Sequence, residues 1–177
     1  LSRGLGDVYK RQNRYRNKSR WRGKLEIVVM DFQEIINQLP YSEPFLFVDR
    51  LDHVDENGVI GVYTFSKDHS FYQGHFKSFP VTPGVILTEC CAQIGLVCLG
   101  IFLIKNEKDD AGVQVAFSSS HMEFLLPVFP GETVRVKSEK IYFRFQKLKC
   151  KVFLYNEKNQ LVCKGELAGM LTNKGNG

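Results

Sequence analysis

Two ionisable residues stand out by their surroundings. They are His75 and Glu89, in the stretch QGHFKSFPVTPGVILTECCAQIG that runs from Gln73 to Gly95. His75 lies between Gly74 and Phe76 in a polar, turn-rich segment, and Glu89 lies inside the start of the most apolar run of the chain. A neutral imidazole accepts a proton, and a carboxyl in an apolar slot can hold one and donate it. The pair therefore has the chemistry of a base and an acid. Gln93 follows Glu89 by four residues, which puts both on one helical face within hydrogen-bonding reach. The start of that helix is well marked: Thr82 suits the N-cap, Pro83 the first helical position, and Gly84 a close approach of a ligand to the backbone. Free N–H groups at a helix start suit a carbonyl oxygen that gains negative charge during a reaction. Each residue also has a plainer role open to it: His75 as a solvated loop residue, Glu89 as a complement to the helix dipole. His53, His69 and His121 have no obvious acidic partner in the sequence and read as structural.

The run from Ile86 to Ile104 is nineteen residues, long enough to cross a bilayer. It contains Glu89, Gln93 and two glycines, and no positive cluster beside it sets an orientation. A central acid costs roughly 2.5–3.5 kcal/mol on insertion. A helix that is apolar all round is also what a sheet wrapped around it requires, so the expectation is a core helix and no membrane span.

The elements around it follow from periodicity. Phe32, Ile35, Ile36 and Leu39 fall at helical spacing and predict a short amphipathic helix over 31–39, with Asp31 as cap, Glu34 as its capping-box partner and Pro40 as stop. FLFVDRLDHVD and GVIGVYTFS read as two strand-like runs joined across Asn57-Gly58, and residues 67–82 read as loop. After residue 111 the chain is strand-like. Val113, Val115 and Phe117 alternate, as do Val134 and Val136 after the Pro130-Gly131 turn. The apolar positions change parity between Phe145 and Leu148, which marks a turn or bulge near Gln146-Lys147. NEKNQ is a further turn, and LVCKGELAGML a last strand. One long helix and about six strands imply an α+β domain with an antiparallel sheet packed on the helix. That domain is expected over residues 30–172, with a fraying tail at 173–177.

Charge and cysteine content remove several function classes. The net charge of +5 is concentrated at one end: residues 1–29 hold nine Lys/Arg against two acids, leaving fifteen bases and seventeen acids in 30–177. A basic arm of that kind would suit nucleic acid or anionic lipid. Yet LSRGLGDVYKRQ resembles translated sequencing-adaptor sequence, and MDFQEIINQLP looks like a natural start at Met30. Residues 1–29 are therefore set aside from fold reasoning, and with them a nucleic-acid partner. The five cysteines (Cys90, Cys91, Cys98, Cys150 and Cys163) include no Cys-x-x-Cys and suggest neither a disulfide framework nor a zinc site. Free buried thiols suit a reducing cytoplasm.

Gly-His-Phe, then Pro-Val-x-Pro-Gly-Val, then Glu, then Ala-Gln closely resembles the 3-hydroxyacyl-[acyl-carrier-protein] dehydratases of FabZ type. LPYSEPFLFVDRL is similar to the N-terminal segment of that family, and HMEFLLPVFPGETV to a later strand and turn, so the resemblance covers most of 30–172. It implies a hot-dog fold, an antiparallel sheet wrapped around one long central helix. It also implies a homodimer, often built further into a trimer of dimers, with active sites at the subunit interface and the His and Glu of each site from different subunits. By motif match His75 would take the proton next to the thioester, Glu89 would help the 3-hydroxyl leave as water, the N–H groups of Gly84 and Val85 would hold the thioester oxygen, and Gln93 would orient Glu89. The product would be a trans-2-enoyl thioester, formed without a metal or redox cofactor. The partner would be an acyl carrier protein, for which Lys77, Arg144, Lys147 and Lys149 are candidate docking residues.

Three positions depart from the family pattern. Lys77 follows Gly-His-Phe in place of a proline, Tyr41 stands in place of a His, and Thr82 in place of a common apolar residue. Rival readings are a hot-dog acyl thioesterase and a non-catalytic acyl-binding subunit. The matched His/Glu pair argues against the first, and the retention of both ionisable residues, each costly to bury without use, argues against the second.

Overall fold

The computed structural model describes residues 32–104 and 113–173. The chain divides into two units, Leu1–Asp31 and Phe32–Gly177, and every described residue belongs to the second. The expected cap Asp31, the basic extension 1–29 and the chain beyond residue 173 lie outside the described residues.

Helix α1 (Phe32–Asn37) buries Ile35 and Ile36, the two residues that share its apolar face. Strands β1 (Arg50–Asp55) and β2 (Gly58–Thr64) form the expected hairpin. The Asp55 carboxylate accepts the N–H groups of Asn57 and Gly58 at 2.7 and 3.0 Å, which closes the turn from its own side chain. The strand-like run FLFVD does not join β1. Only its last residue reaches the sheet, the Asp49 N–H donating to the Val62 carbonyl at 2.9 Å; further back, the Phe47 N–H donates to the Gln93 side chain, and the Phe45 carbonyl accepts from it.

Four longer strands follow: β3 (Val113–Phe124), β4 (Thr133–Arg144), β5 (Lys147–Asn156) and β6 (Leu161–Asn173). All pairings are antiparallel, and the order in the single sheet is β1-β2-β4-β5-β6-β3. Strand β6 pairs Asn173 with Val113, so ordered sheet reaches one residue into the expected tail. The parity change in the sequence has two sources. A bulge between Lys140 and Tyr142 shifts the β4 register. The β4–β5 turn then uses Phe145 and Gln146, one residue earlier than expected, both left-handed at φ 51° and 58°. This is the two-residue geometry that matches strand twist.

The central helix runs Gly84–Ile104, α-helical over Gly84–Ala92 and Leu99–Ile104 and π-helical over Gln93–Cys98. Among the described residues it is the one helix long and apolar enough to cross a membrane, and 72% of its most apolar window is buried within the fold. The sheet wraps it, which is the hot-dog arrangement. Contact is close at Gly95, where an added Cβ would lie 3.0 Å from both Ser138 Cβ and Val152 Cγ1. There the Ser138 hydroxyl donates to the Gly95 carbonyl at 2.8 Å, tying the π-helical turn to β4. The helix start differs from expectation. Pro83 is the N-cap, with φ −58° and ψ 140°. Thr82 caps nothing; its hydroxyl turns inward onto the Tyr72 hydroxyl at 2.6 Å.

All five thiols are buried and free. Burial pushes the Cys90 and Cys98 thiols up, and Cys150 up to about 11. Cys91 is pushed up first by its hydrogen-bonded contact with Cys163 and then by burial. A raised thiol is protonated at neutral pH, and the thiolate is the nucleophile. The native protein at pH 8 is therefore expected to resist iodoacetamide, taking up five labels only after unfolding in guanidinium; rapid native labelling seen by mass spectrometry would contradict the burial.

Candidate active site

The site is built on the start of the central helix and on the loop before it. Gln93 is fully buried at the first π-helical position, and each polar atom of its amide is engaged. Its Oε1 accepts the Phe47 N–H at 2.7 Å, and its Nε2 donates to the Phe45 carbonyl and to Glu89 Oε1, both at 2.9 Å. The backbone decides the orientation of this amide. A backbone N–H can only donate and a carbonyl can only accept, so the NH2 end must face Phe45 and Glu89. Glu89 Oε1 is thereby held as an acceptor, and Oε2 has no hydrogen-bond partner among the described residues. The expected i, i+4 contact exists, and the Phe45–Phe47 strip that fixes its direction was not legible from spacing.

Glu89 is half-buried, with Tyr41 nearby. Burial first, and then the Glu89 charge, push the Tyr41 phenol up to about 12, so it is a neutral hydroxyl at physiological pH. The sequence marked Tyr41 only as a departure from a motif.

His75 sits in the loop after a 3₁₀ turn, Ser70–Gln73. Its Nδ1 lies 2.9 Å from the Val81 carbonyl. A carbonyl only accepts, so Nδ1 carries the hydrogen, and in the neutral imidazole that arrangement leaves the lone pair on Nε2. The Phe76 ring stacks on the imidazole at 4.0 Å. The Val81 carbonyl was not read as a site group, since a backbone acceptor leaves no trace in residue type.

At the helix start, the Ile86 and Leu87 N–H groups donate to the Pro83 carbonyl at 2.9 and 3.1 Å. The N–H groups of Gly84 and Val85 have no hydrogen-bond acceptor among the described residues, which fits a place for an oxyanion. The Phe124 ring lies against Gly84, where an added Cβ would meet it at 3.1 Å.

His75 and Glu89 are not joined by any hydrogen bond or ion pair among the described residues. An open pocket of about 560 Å³ lies beside the loop, lined by Lys67, His69, Tyr72, Gln73, Pro80 and Pro130, and neither His75 nor Glu89 lines it. The other histidines have partners after all. His53 Nε2 is 3.2 Å from Asp55 Oδ2, which corrects the expectation of no acid nearby. His69 Nε2 meets the Tyr63 hydroxyl at 2.8 Å, and His121 stands opposite Glu166 across β3–β6. None of the three bonds to His75 or Glu89.

The candidate docking residues divide into two places. Lys77 lies in the exposed loop after His75, and Arg144 and Lys147 face each other across the β4–β5 hairpin. Phe145, at that tip, is 89% exposed. The Arg144 guanidinium lies 4.9 Å over the Tyr142 ring, and Lys149 pairs with Glu166 at 2.7 Å.

The family described as a FabA-like domain matches residues 39–166. The chain is 37% identical over 113 residues to the 3-hydroxyacyl-[acyl-carrier-protein] dehydratase FabZ of Acinetobacter baylyi, covering 63% of this chain and 75% of that protein. It is 35% identical over 112 residues to the dehydratase of the same name from Geobacter metallireducens, covering 62% and 72%. Among solved structures, the dehydratase heterocomplex ApeI:P from Xenorhabdus doucetiae aligns with a TM-score of 0.65 at 15% identity, over 79% of this chain and 91% of that one.

Replacing the buried amide tests the frame of the site. Gln93→Leu leaves the Phe47 N–H and the Phe45 carbonyl unsatisfied, and is expected to lower the unfolding free energy in urea by about 3 kcal/mol. Glu89→Gln keeps both backbone bonds and is expected to cost less than about 1 kcal/mol.

Proposed function

Because the chain belongs to the family of FabA-like domains, we propose that it dehydrates (3R)-3-hydroxyacyl-[acyl-carrier-protein] to trans-2-enoyl-[acyl-carrier-protein] in fatty acid or related lipid biosynthesis. The observation that carries the chemistry is the His75–Val81 contact, which leaves Nε2 free as a base. His75 Nε2 takes the proton from the carbon beside the thioester. The electron pair moves toward the thioester oxygen, which the Gly84 and Val85 N–H groups stabilise. Glu89, protonated on Oε2, gives that proton to the 3-hydroxyl, and the C–O bond breaks to release water. A proton passed from His75 to Glu89 resets the pair. Gln93 keeps Glu89 Oε1 occupied throughout. No metal or redox group has a part in these steps.

The same reading includes a homodimer, with trimers of dimers as the larger assembly. Strand β3 is an edge strand of twelve residues, and its backbone is open on one side. Phe117 and Phe124 on it are about half exposed, at 50% and 48%. A long edge strand with exposed rings invites pairing with a second chain. In such a dimer His75 of one copy and Glu89 of the other face one substrate, which accounts for their separation within one chain. The buried free thiols suit a cytoplasmic setting. Lys77, Arg144 and Lys147 are the proposed contacts for the acidic carrier protein, with Phe145 as an apolar contact at the hairpin tip.

The decisive test mixes the full chain with a 3-hydroxyacyl carrier protein and reads the intact mass of the carrier. Loss of one water is expected, with a rate at least about 100-fold lower in His75→Ala and in Glu89→Gln. Loss of the whole acyl group would mean a thioesterase and overturn the reading. Reversing charge with Arg144→Glu or Lys147→Glu is expected to raise KM for the carrier-borne substrate roughly fivefold and leave kcat unchanged.

A further inference from the structure

His75 is held by two carbonyls. The Phe71 carbonyl accepts its backbone N–H at 2.9 Å, and the Val81 carbonyl faces its Nδ1 at 2.9 Å. The distance between those two acceptors sets where the imidazole sits and which nitrogen carries the hydrogen. The residues next in sequence to them are Tyr72 and Thr82, whose hydroxyls are 2.6 Å apart. Both side chains are buried, at 8% and 5% exposure, and neither hydroxyl has another partner among the described residues. Thr82 is in turn fixed to the frame, since its N–H donates to the Val128 carbonyl at 2.8 Å and Pro83 caps the central helix. Between the two ends, residues 76–80 are exposed; the Phe76 ring stacks on the imidazole at 4.0 Å and the Val81 N–H donates to the His75 carbonyl at 2.9 Å, while the Tyr72–Thr82 contact is the buried side-chain tie across the loop.

We propose that the Tyr72–Thr82 hydroxyl pair is a latch that positions His75, fixing the spacing of the Phe71 and Val81 carbonyls and so its Nδ1–H tautomer. Tyr72 and Thr82 are positioning residues; neither touches reacting atoms. The proposal rests on the reading of His75 as the base, and adds two residues to which the sequence assigned no part in holding it. A plain structural role is the alternative, and the two roles separate because of how buried hydrogen bonds behave. Removing one hydroxyl strands the other in the interior, whereas replacing both with apolar groups of the same shape is close to neutral for stability. A latch that positions the base is still lost in the double replacement.

The experiment compares Tyr72→Phe, Thr82→Val, the double variant and Thr82→Ser with the unaltered chain. It measures Tm, kcat, KM and the ¹⁵N shifts of the His75 ring, assigned with His75→Ala. Each single variant should lower Tm and reduce kcat about tenfold with KM nearly unchanged, as misplacement of a reacting group does. The double variant should regain Tm yet keep the kcat loss and show mixed ring tautomers. Thr82→Ser, which retains the hydroxyl, should behave as the unaltered chain. Recovery of kcat together with Tm in the double variant, or an unchanged His75 ring in every variant, would overturn the latch. If the unaltered chain dehydrates nothing, the proposed activity fails, and the ring shifts alone still decide for or against the latch.

Discussion

A buried amide holds the candidate site together. Gln93 has one donor end and one acceptor end, and the backbone of Phe45–Phe47 occupies both. Only the remaining N–H is left for Glu89. An unpaired amide in that interior would cost more than the bonds it makes are worth, so the strip, the amide and the carboxyl form one unit. The strip lies outside the sheet ladder: β1 starts only at Arg50, and the Phe47 backbone meets the Gln93 and Cys90 side chains of the helix while its ring packs against Tyr63 and Phe65. A segment that reads as strand by composition thus gives its central N–H to a side chain 46 residues away.

The central helix is equally constrained from the sheet side. Gly95 lets it approach β4 and β5, and the Ser138 hydroxyl meets its carbonyl. The π-helical turn covers the same stretch, beginning at Gln93. The residue that directs Glu89 and the residue that seats the helix are therefore two positions apart, so the carboxyl is placed by the same contact that packs the core. A helix start with open N–H groups at Gly84 and Val85 then lies at the edge of the sheet, beside the Phe124 ring of β3.

The His75 half of the site has a different character. It is a loop half-buried at best, with exposed Phe76 and Phe79 beyond it, and its order comes from backbone carbonyls rather than from packing. The Val81 carbonyl sets the ring, and the Tyr72–Thr82 contact ties the two ends of the loop. A carboxyl on the core helix and an imidazole tethered on a loop suit the proposed site completed between two copies of the chain.

Much of this was legible in residue order. Period and turn residues located the central helix, the β1–β2 hairpin and the four later strands, because burial on one face leaves a repeat of about four or of two in the apolar residues. The family motif picked out His75, Glu89, Gln93 and Gly84 by type and spacing. Glu89–Gln93 was predictable because both lie on one helix, where spacing alone sets distance. The exact helix cap, the partner acid of His53, the diversion of Phe45–Phe47 and the inward turn of Thr82 were not. Each depends on a group distant in sequence or on a backbone carbonyl, which every residue carries. The amino-acid sequence by itself determined which chemistry the chain can offer. Only the tertiary structure decided which nitrogen of His75 and which oxygen of Glu89 are free to use it, because hydrogen-bond direction is set by whichever backbone group the fold brings alongside.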